Sequence, residues 1–346
     1  MTTLLAGDIG GTKTLLSLYQ AEGLEVLAQE RYTSADWPDL EAMVNHFLQG
    51  LRNAGLARPA VACLAVAGPV QHGRARLTNL PWSLGEHELA RGCAIPHVEL
   101  VNDFAVLIYG LPHLQAGQQA PLRGGSAQAG APLLILGAGT GLGVAIGVPT
   151  ALGLQALASE AAHAEFAPRS QAEWELKQWL LHERQLDRVS IERVVSGTGL
   201  GHVACWLLSR EPRQGAGHAL AAVADGWLRP SPQEGERQDL PAAVAAAAAA
   251  GDPLACAALD LWLGAYGSVC GDLALACLPR GGIWLAGGTA SKLLTELRSS
   301  SFNAAFLAKG RLTAVLEPIP IQAVTDPAIG SFSAACRARM LLDGKA

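Results

Sequence analysis

Asp8-Ile9-Gly10-Gly11-Thr12-Lys13 and Gly137-Ala138-Gly139-Thr140-Gly141-Leu142-Gly143 each set a glycine-threonine turn between apolar runs, with Val101-Asn102-Asp103-Phe104 between them in the chain. Glycine permits positive φ and lets backbone N–H groups close on an anion, so either turn could cradle a phosphate. A carboxylate such as Asp103 could take the proton of an attacking hydroxyl, while positioning and charge neutralisation do most of the remaining work of phosphoryl transfer. Two phosphate cradles and one carboxylate point to a kinase.

Each signal has an ordinary alternative. A single glycine turn is often only a tight hairpin, and an Asp that ends an apolar strand before an apolar helix is often a cap. Neither common nucleotide motif accounts for the turns. A Walker A register from Gly7 to Thr14 has Thr12 where the second glycine belongs and runs into a strand, and a dinucleotide fingerprint from Gly137 fails at Leu142. Their joint occurrence is what favours phosphate binding.

Residues 3–8, 14–20, 24–33, 60–67, 73–79 and 97–101 read as strands, with helices over about 37–54 and 83–92. A Gly/Gln/Pro-rich loop, about 115–131, leads to strands around 133–148. Helices then dominate, over 171–184, 190–193 leading to 197–210, 216–228, 241–250 and 252–278. The segment 229–241 reads as an exposed, mobile loop, and the alanine run after it as a closely packed helix. Strand 282–286 meets Gly287-Gly288-Thr289 at a helix start, and a last apolar helix spans about 327–342.

Composition limits the class. The chain has 346 residues, 50% of them hydrophobic and 16% charged, which suits two α/β domains. A net charge of -5 without a Lys/Arg block gives no electrostatic reason to expect nucleic acid or an anionic membrane. The N-terminus lacks the charged and apolar regions of a secretory signal, and the apolar runs are glycine-broken or short for a bilayer, so a cytoplasmic protein is expected. Seven cysteines without a C-x-x-C pair read as reduced thiols rather than a disulfide framework or a zinc site.

The ordered segments DIGGTKT, AGPV, TNLPW, VNDF, GAGTGLG, EAAH with EFAP, ERVVSGTG, WLAGGTASKL and GRL resemble the bacterial ATP-dependent glucokinase family, of the hexokinase and actin superfamily. The resemblance runs from Asp8 to about Ala334. It implies a two-domain ribonuclease-H-like, actin-like ATPase fold with a cleft between a small and a large α/β domain. The small domain would be residues 1–110 completed by a returning C-terminal helix, 327–346, and the large one 111–326. Domain closure would bring both glycine turns onto one triphosphate.

The resemblance also implies roles. Asp103 would be the base for the glucose 6-hydroxyl, and Asn102, Glu160, His163 and Glu192 would bind the sugar. Gly10, Gly11, Thr12 and Lys13 would face the ATP phosphates from one domain and Gly139, Thr140 and Gly141 from the other, with Gly287 and Gly288 on the adenosine side. Asp8 would hold Mg2+ through water. A homodimer is the implied assembly.

At one place the chain departs from the family pattern. Where the family reads Glu-Gly-Gly-His, this chain has Glu160-Ala161-Ala162-His163, and a required positive φ there would strain alanine by on the order of 1 kcal/mol or more. The residues also leave room for a kinase of mannose, fructose or N-acetylglucosamine, a non-catalytic sugar-responsive regulator, and an ATPase or polyphosphate hydrolase. A regulator would not require Asp103, and a hydrolase would not require the sugar set.

Overall fold

The structure, a computed structural model, describes residues 1–77, 80–210, 217–228 and 238–345. Residues 229–237 of the loop expected to be mobile lie outside the described residues. The chain divides into two compact units: Met1–Gln119 with Ala145–Ala158 and Asp326–Ala346, and Ala120–Val144 with Ser159–Thr325.

In unit 1 the strands β1 (Thr3–Ile9), β2 (Lys13–Gln20) and β3 (Val26–Thr33) form an antiparallel meander, and β4 (Val61–Val66) runs parallel to β1. The short strands β5 (Val70–Gln71), β6 (Arg74–Arg76) and β7 (Ser83–Gly85) make a separate antiparallel sheet. β8 (His97–Asn102) returns to the main sheet, parallel to β4. Leu5, Ile9, Leu16 and Leu18 of the meander share a core with Met43, Phe47 and Leu51 of the helix Leu40–Asn53. That helix begins where the Asp39 carboxylate accepts the Ala42 N–H at 2.7 Å.

The helix Ile329–Leu342 packs on β1 and β4. Its polar groups are paired there: Tyr19 Oη and Ser331 Oγ are 3.0 Å apart, and the Arg337 guanidinium donates two 2.7 Å hydrogen bonds to Glu99. This fork geometry fixes the helix against β8, the strand that ends at the candidate base.

The second sheet contains β9 (Gln119–Arg123), β10 (Leu133–Ala138), the hairpin strands β11 (Leu142–Thr150) and β12 (Gly153–Ser159), β13 (Gly282–Ala286) and β14 (Ile321–Val324). Its order is β12-β11-β10-β13-β14-β9, with β10, β13 and β14 consecutive parallel neighbours. In unit 2 the helix Pro253–Cys277 passes through the interior with Trp262, Tyr266 and Cys270 fully buried. It is long and apolar enough to cross a membrane by composition, yet 72% of its most apolar window is buried inside the protein. Its apolarity is that of a core helix.

Several boundaries differ from the expectation for local reasons. Gly23 and Leu24 take left-handed φ values of 85° and 55°, so the strand expected from residue 24 starts at Val26. The helix expected from 83 starts at Glu86, because Ser83–Gly85 pair with Arg74–Arg76 as strands. The strand expected over 73–79 is only Arg74–Arg76, and residues 78–79 lie outside the described residues. The loop expected over 115–131 contains β9, whose Pro121 is tolerated because β9 is an edge strand.

Candidate active site

In unit 1 the first glycine turn is closed by the Gly10 N–H donating to the Lys13 carbonyl at 3.0 Å. A Cβ on Gly10 would lie 2.8 Å from that oxygen, so a side chain there would open the turn. Neither Gly10 nor Gly11 has a positive φ; of the two freedoms glycine gives, close backbone approach is the one that demands glycine at Gly10. Ser34 braces the turn from just beyond β3: its N–H donates to the Thr12 carbonyl at 3.0 Å and its hydroxyl to the Gly10 carbonyl at 2.8 Å. The Thr12 and Lys13 side chains remain exposed.

Asp8 leaves β1 with an exposed side chain in an otherwise buried strand. It lines a cavity of about 250 Å³ with Lys13, Gln29, Arg31, Pro327 and Ser331. Crowding by protein raises its pKa, and the Arg31 guanidinium opposes that rise. A Cβ on Gly330 would come within 3.3 Å of the Asp8 carboxylate, so the small residue lets the helix Ile329–Leu342 begin beside that charge.

Asp103 follows β8, with its N–H held by the Val66 carbonyl at 2.9 Å. Asn102 works on both sides of it. Its side-chain oxygen accepts the Phe104 and Ala105 N–H groups at 3.1 and 2.9 Å, and its amide donates to the Gly68 carbonyl and to Asp103 Oδ1, each at 3.1 Å. One carboxylate oxygen of Asp103 is thereby oriented, and the residue is exposed. Desolvation first, and the charge of Asp8 second, push its pKa up to about 6. A carboxylate poised there is matched to accepting a proton near neutral pH.

In unit 2 the second glycine turn is held from three sides. The Gly139 N–H donates to the Gly141 carbonyl at 2.9 Å, the Gly197 N–H to the Gly139 carbonyl at 2.7 Å, and the Thr198 hydroxyl to the Thr140 carbonyl at 2.8 Å. The Glu192 carboxylate accepts the Leu142 N–H at 2.9 Å. Gly287, at φ 86°, approaches the Ala138 carbonyl so closely that a Cβ would sit 2.7 Å from its oxygen, and the Thr289 hydroxyl donates to that same oxygen at 2.6 Å. Gly288 has open space where a side chain would be.

Glu160 and His163 form an exposed pair, Oε2 to Nε2 3.6 Å. Between them Ala161–His163 is one turn of 3-10 helix, and neither alanine has a positive φ. The strain anticipated for alanine here does not arise. Ala162 is buried and Ala161 partly buried. The next residues run beside the segment that carries Glu192: the Ile191 N–H donates to the Ala164 carbonyl at 2.9 Å and the Phe166 N–H to the Val189 carbonyl at 2.8 Å.

Ser34, Arg31, Thr198 and Thr289 join the site only in the folded chain. The last two sit in Ser196-Gly197-Thr198-Gly199 and Gly287-Gly288-Thr289, which repeat the glycine-threonine signature of the first two turns and could have been found by it.

The glucokinase family model matches residues 5–341. A glucokinase of Nostoc punctiforme is 41% identical over 98% of this chain and 100% of its own length. Among solved structures, a glucokinase from an Antarctic psychrotroph superposes with a TM-score of 0.80 at 27% identity, covering 98% of this chain and 99% of that one. A ROK family glucokinase from Streptomyces griseus, solved with glucose and AMPPNP, shares the fold at a TM-score of 0.61 and 21% identity, over 97% of this chain and 99% of that one. The architecture is that of the two-domain actin-like ATPases, and the chain belongs to the glucokinase family.

Proposed function

We propose that this chain transfers the γ-phosphoryl group of ATP to the 6-hydroxyl of D-glucose, with Asp103 as general base. Family membership makes it an ATP:hexose 6-phosphotransferase. The observation that carries the residue assignment is Asp103 itself: exposed, oriented by Asn102, and with a pKa of about 6.

As the sugar C6 oxygen bonds to the γ-phosphorus, its proton passes to the Asp103 carboxylate and the bond to ADP breaks, leaving glucose 6-phosphate and ADP. Asn102 holds Asp103 Oδ1 and takes part in sugar binding with Glu160, His163 and Glu192. Convergent partners matter because each sugar hydroxyl buried without one costs about 1–3 kcal/mol. The Gly10, Gly11, Thr12 and Lys13 turn and the Gly139, Thr140 and Gly141 turn address phosphate oxygens. Gly287 and Gly288 admit the adenosine, Gly288 by leaving open space beside the backbone.

The carboxylates of unit 1 fit Mg2+. Asp8 and Asp103 are exposed and close enough for the charge of one to raise the pKa of the other. Mg2+ takes one or two carboxylates and completes its shell with water and phosphate oxygens. Asp8 would hold it through water, and the ion would neutralise charge on the transferring phosphoryl group. A cytoplasmic homodimer completes the proposal; the cysteines are all free thiols, as a reducing compartment keeps them.

Release of ADP, measured with Mg-ATP over glucose, mannose, fructose and N-acetylglucosamine, tests the acceptor. Glucose is expected to give the highest kcat/KM. A higher value for another hexose would reassign the substrate, and equal ADP release without sugar would make the protein a hydrolase.

A further inference from the structure

Glu192 sits where two kinds of ligand would meet. It lies in the one-turn helix Ile191–Arg193, and its Oε2 accepts the Leu142 N–H of the second glycine turn at 2.9 Å. A Cβ on Gly141 would collide with this carboxylate, so the turn and the side chain are in direct contact. The backbone of the segment is itself fixed. The Ser196 hydroxyl donates to the Glu192 carbonyl at 2.7 Å and accepts the Gly199 N–H at 2.9 Å, and the Trp262 indole donates to the Ser196 carbonyl at 2.9 Å. Ser196 and Trp262 are fully buried. From this anchored segment Gly197 and Thr198 reach the Gly139 and Thr140 carbonyls.

The other oxygen, Oε1, has no hydrogen-bond partner among the described residues, and the Ala164–Ile191 hydrogen bond ties the Glu192 segment to the Glu160–His163 turn. A carboxylate with one oxygen on a phosphate-binding turn and the other free toward a polyol can transmit position from one to the other. We infer that Glu192 is a positioning residue that couples the two substrates: a sugar hydroxyl on Oε1 sets the carboxylate that holds the Gly139–Gly141 turn, so hexose and nucleotide bind with positive cooperativity through this one side chain. The inference rests on the sugar-binding role proposed for Glu192. By linkage the coupling is reciprocal, so each ligand raises the other's affinity by the same factor.

Calorimetric titration of the full chain with AMPPNP alone, glucose alone, and each in the presence of the other tests it. In Glu192→Ala, AMPPNP affinity measured without sugar is expected to fall about tenfold, because a charge-assisted bond to the turn is lost. Glucose affinity is expected to fall too, and the mutual enhancement to vanish. Gly141→Ala approaches from the other side, displacing the Glu192 carboxylate from the turn while leaving its chemistry intact, and is expected to weaken glucose binding measured without nucleotide. This second variant decides the matter if Glu192→Ala does not fold.

A Glu192→Ala protein with wild-type AMPPNP affinity in the absence of sugar overturns the coupling while leaving Glu192 a sugar ligand. One that loses AMPPNP affinity but keeps glucose affinity shows that Glu192 is no sugar ligand and overturns the coupling with it. Unchanged glucose binding in Gly141→Ala also overturns it.

Discussion

Burial first, and the charge of Asp8 second, act on Asp103, which sets a pH signature. Asp103 has its pKa pushed up to about 6, and it must be ionised to accept a proton. The kcat/KM profile is therefore expected to rise with pH through about 6 and level above it. Asp8→Asn removes a negative charge that favours the protonated form, so the acid limb of the residual activity should move to lower pH. A limb that stays in place in this variant would mean that a different group titrates. At Ala161 and Ala162 the backbone is ordinary and helical, so the methyls stiffen the turn rather than strain it.

At the scale of elements, the site of unit 2 depends on helices that meet at very short range. In the helix Pro253–Cys277, a Cβ on Gly267 would strike the Phe302 carbonyl oxygen of the helix Ser300–Leu307. Because that obstacle is backbone, it cannot rotate away. Gly267→Val is expected to destabilise by about 1–3 kcal/mol in urea denaturation, and wild-type stability would show that the helices separate easily. The helix Gly197–Arg210 makes a different demand. His202, buried on it, donates from Nδ1 to the Arg193 carbonyl at 2.9 Å, while its Nε2 has no partner among the described residues. It therefore supports, from below, the turn that carries Glu192.

For the whole molecule, His202 becomes a source of acid sensitivity. Burial lowers its pKa from 6.5 to about 4, with the neighbouring Arg184 and Arg193 charges adding to the effect and the Arg193 carbonyl opposing it. Between those values the unfolded chain binds the extra proton and the folded chain does not. Stability is then complete above about 6.5 and is lost as pH falls toward 4, by on the order of 3 kcal/mol. Melting temperatures across this window should fall less steeply in His202→Gln; an identical slope would place the acid sensitivity elsewhere.

How much of the molecule is readable from the chain depends on the distance over which a feature is decided. The turn at Gly10 is local, as is the helix Pro253–Cys277, announced by Asp252 as its cap and Pro253 at its first position. Asp103 is legible as a carboxylate at a strand end, but its raised pKa comes from burial in the folded chain and, second, from Asp8, brought alongside through the β1, β4 and β8 pairing. The hold of Glu192 on Leu142 joins residues 50 positions apart, and no spacing rule announces it. The edge strand β9 is hidden by Pro121, which reads as a breaker until the sheet order makes β9 an edge.

The most direct measurement is the rate of glucose 6-phosphate formation from glucose and Mg-ATP by the wild-type chain and by Asp103→Ala. The wild type should form the product. The variant should keep its fold and its melting temperature while kcat falls by about 10²–10⁴-fold, the range for loss of a positioned general base. Wild-type kcat in Asp103→Ala, or no glucose 6-phosphate from the unmodified protein, would contradict the account.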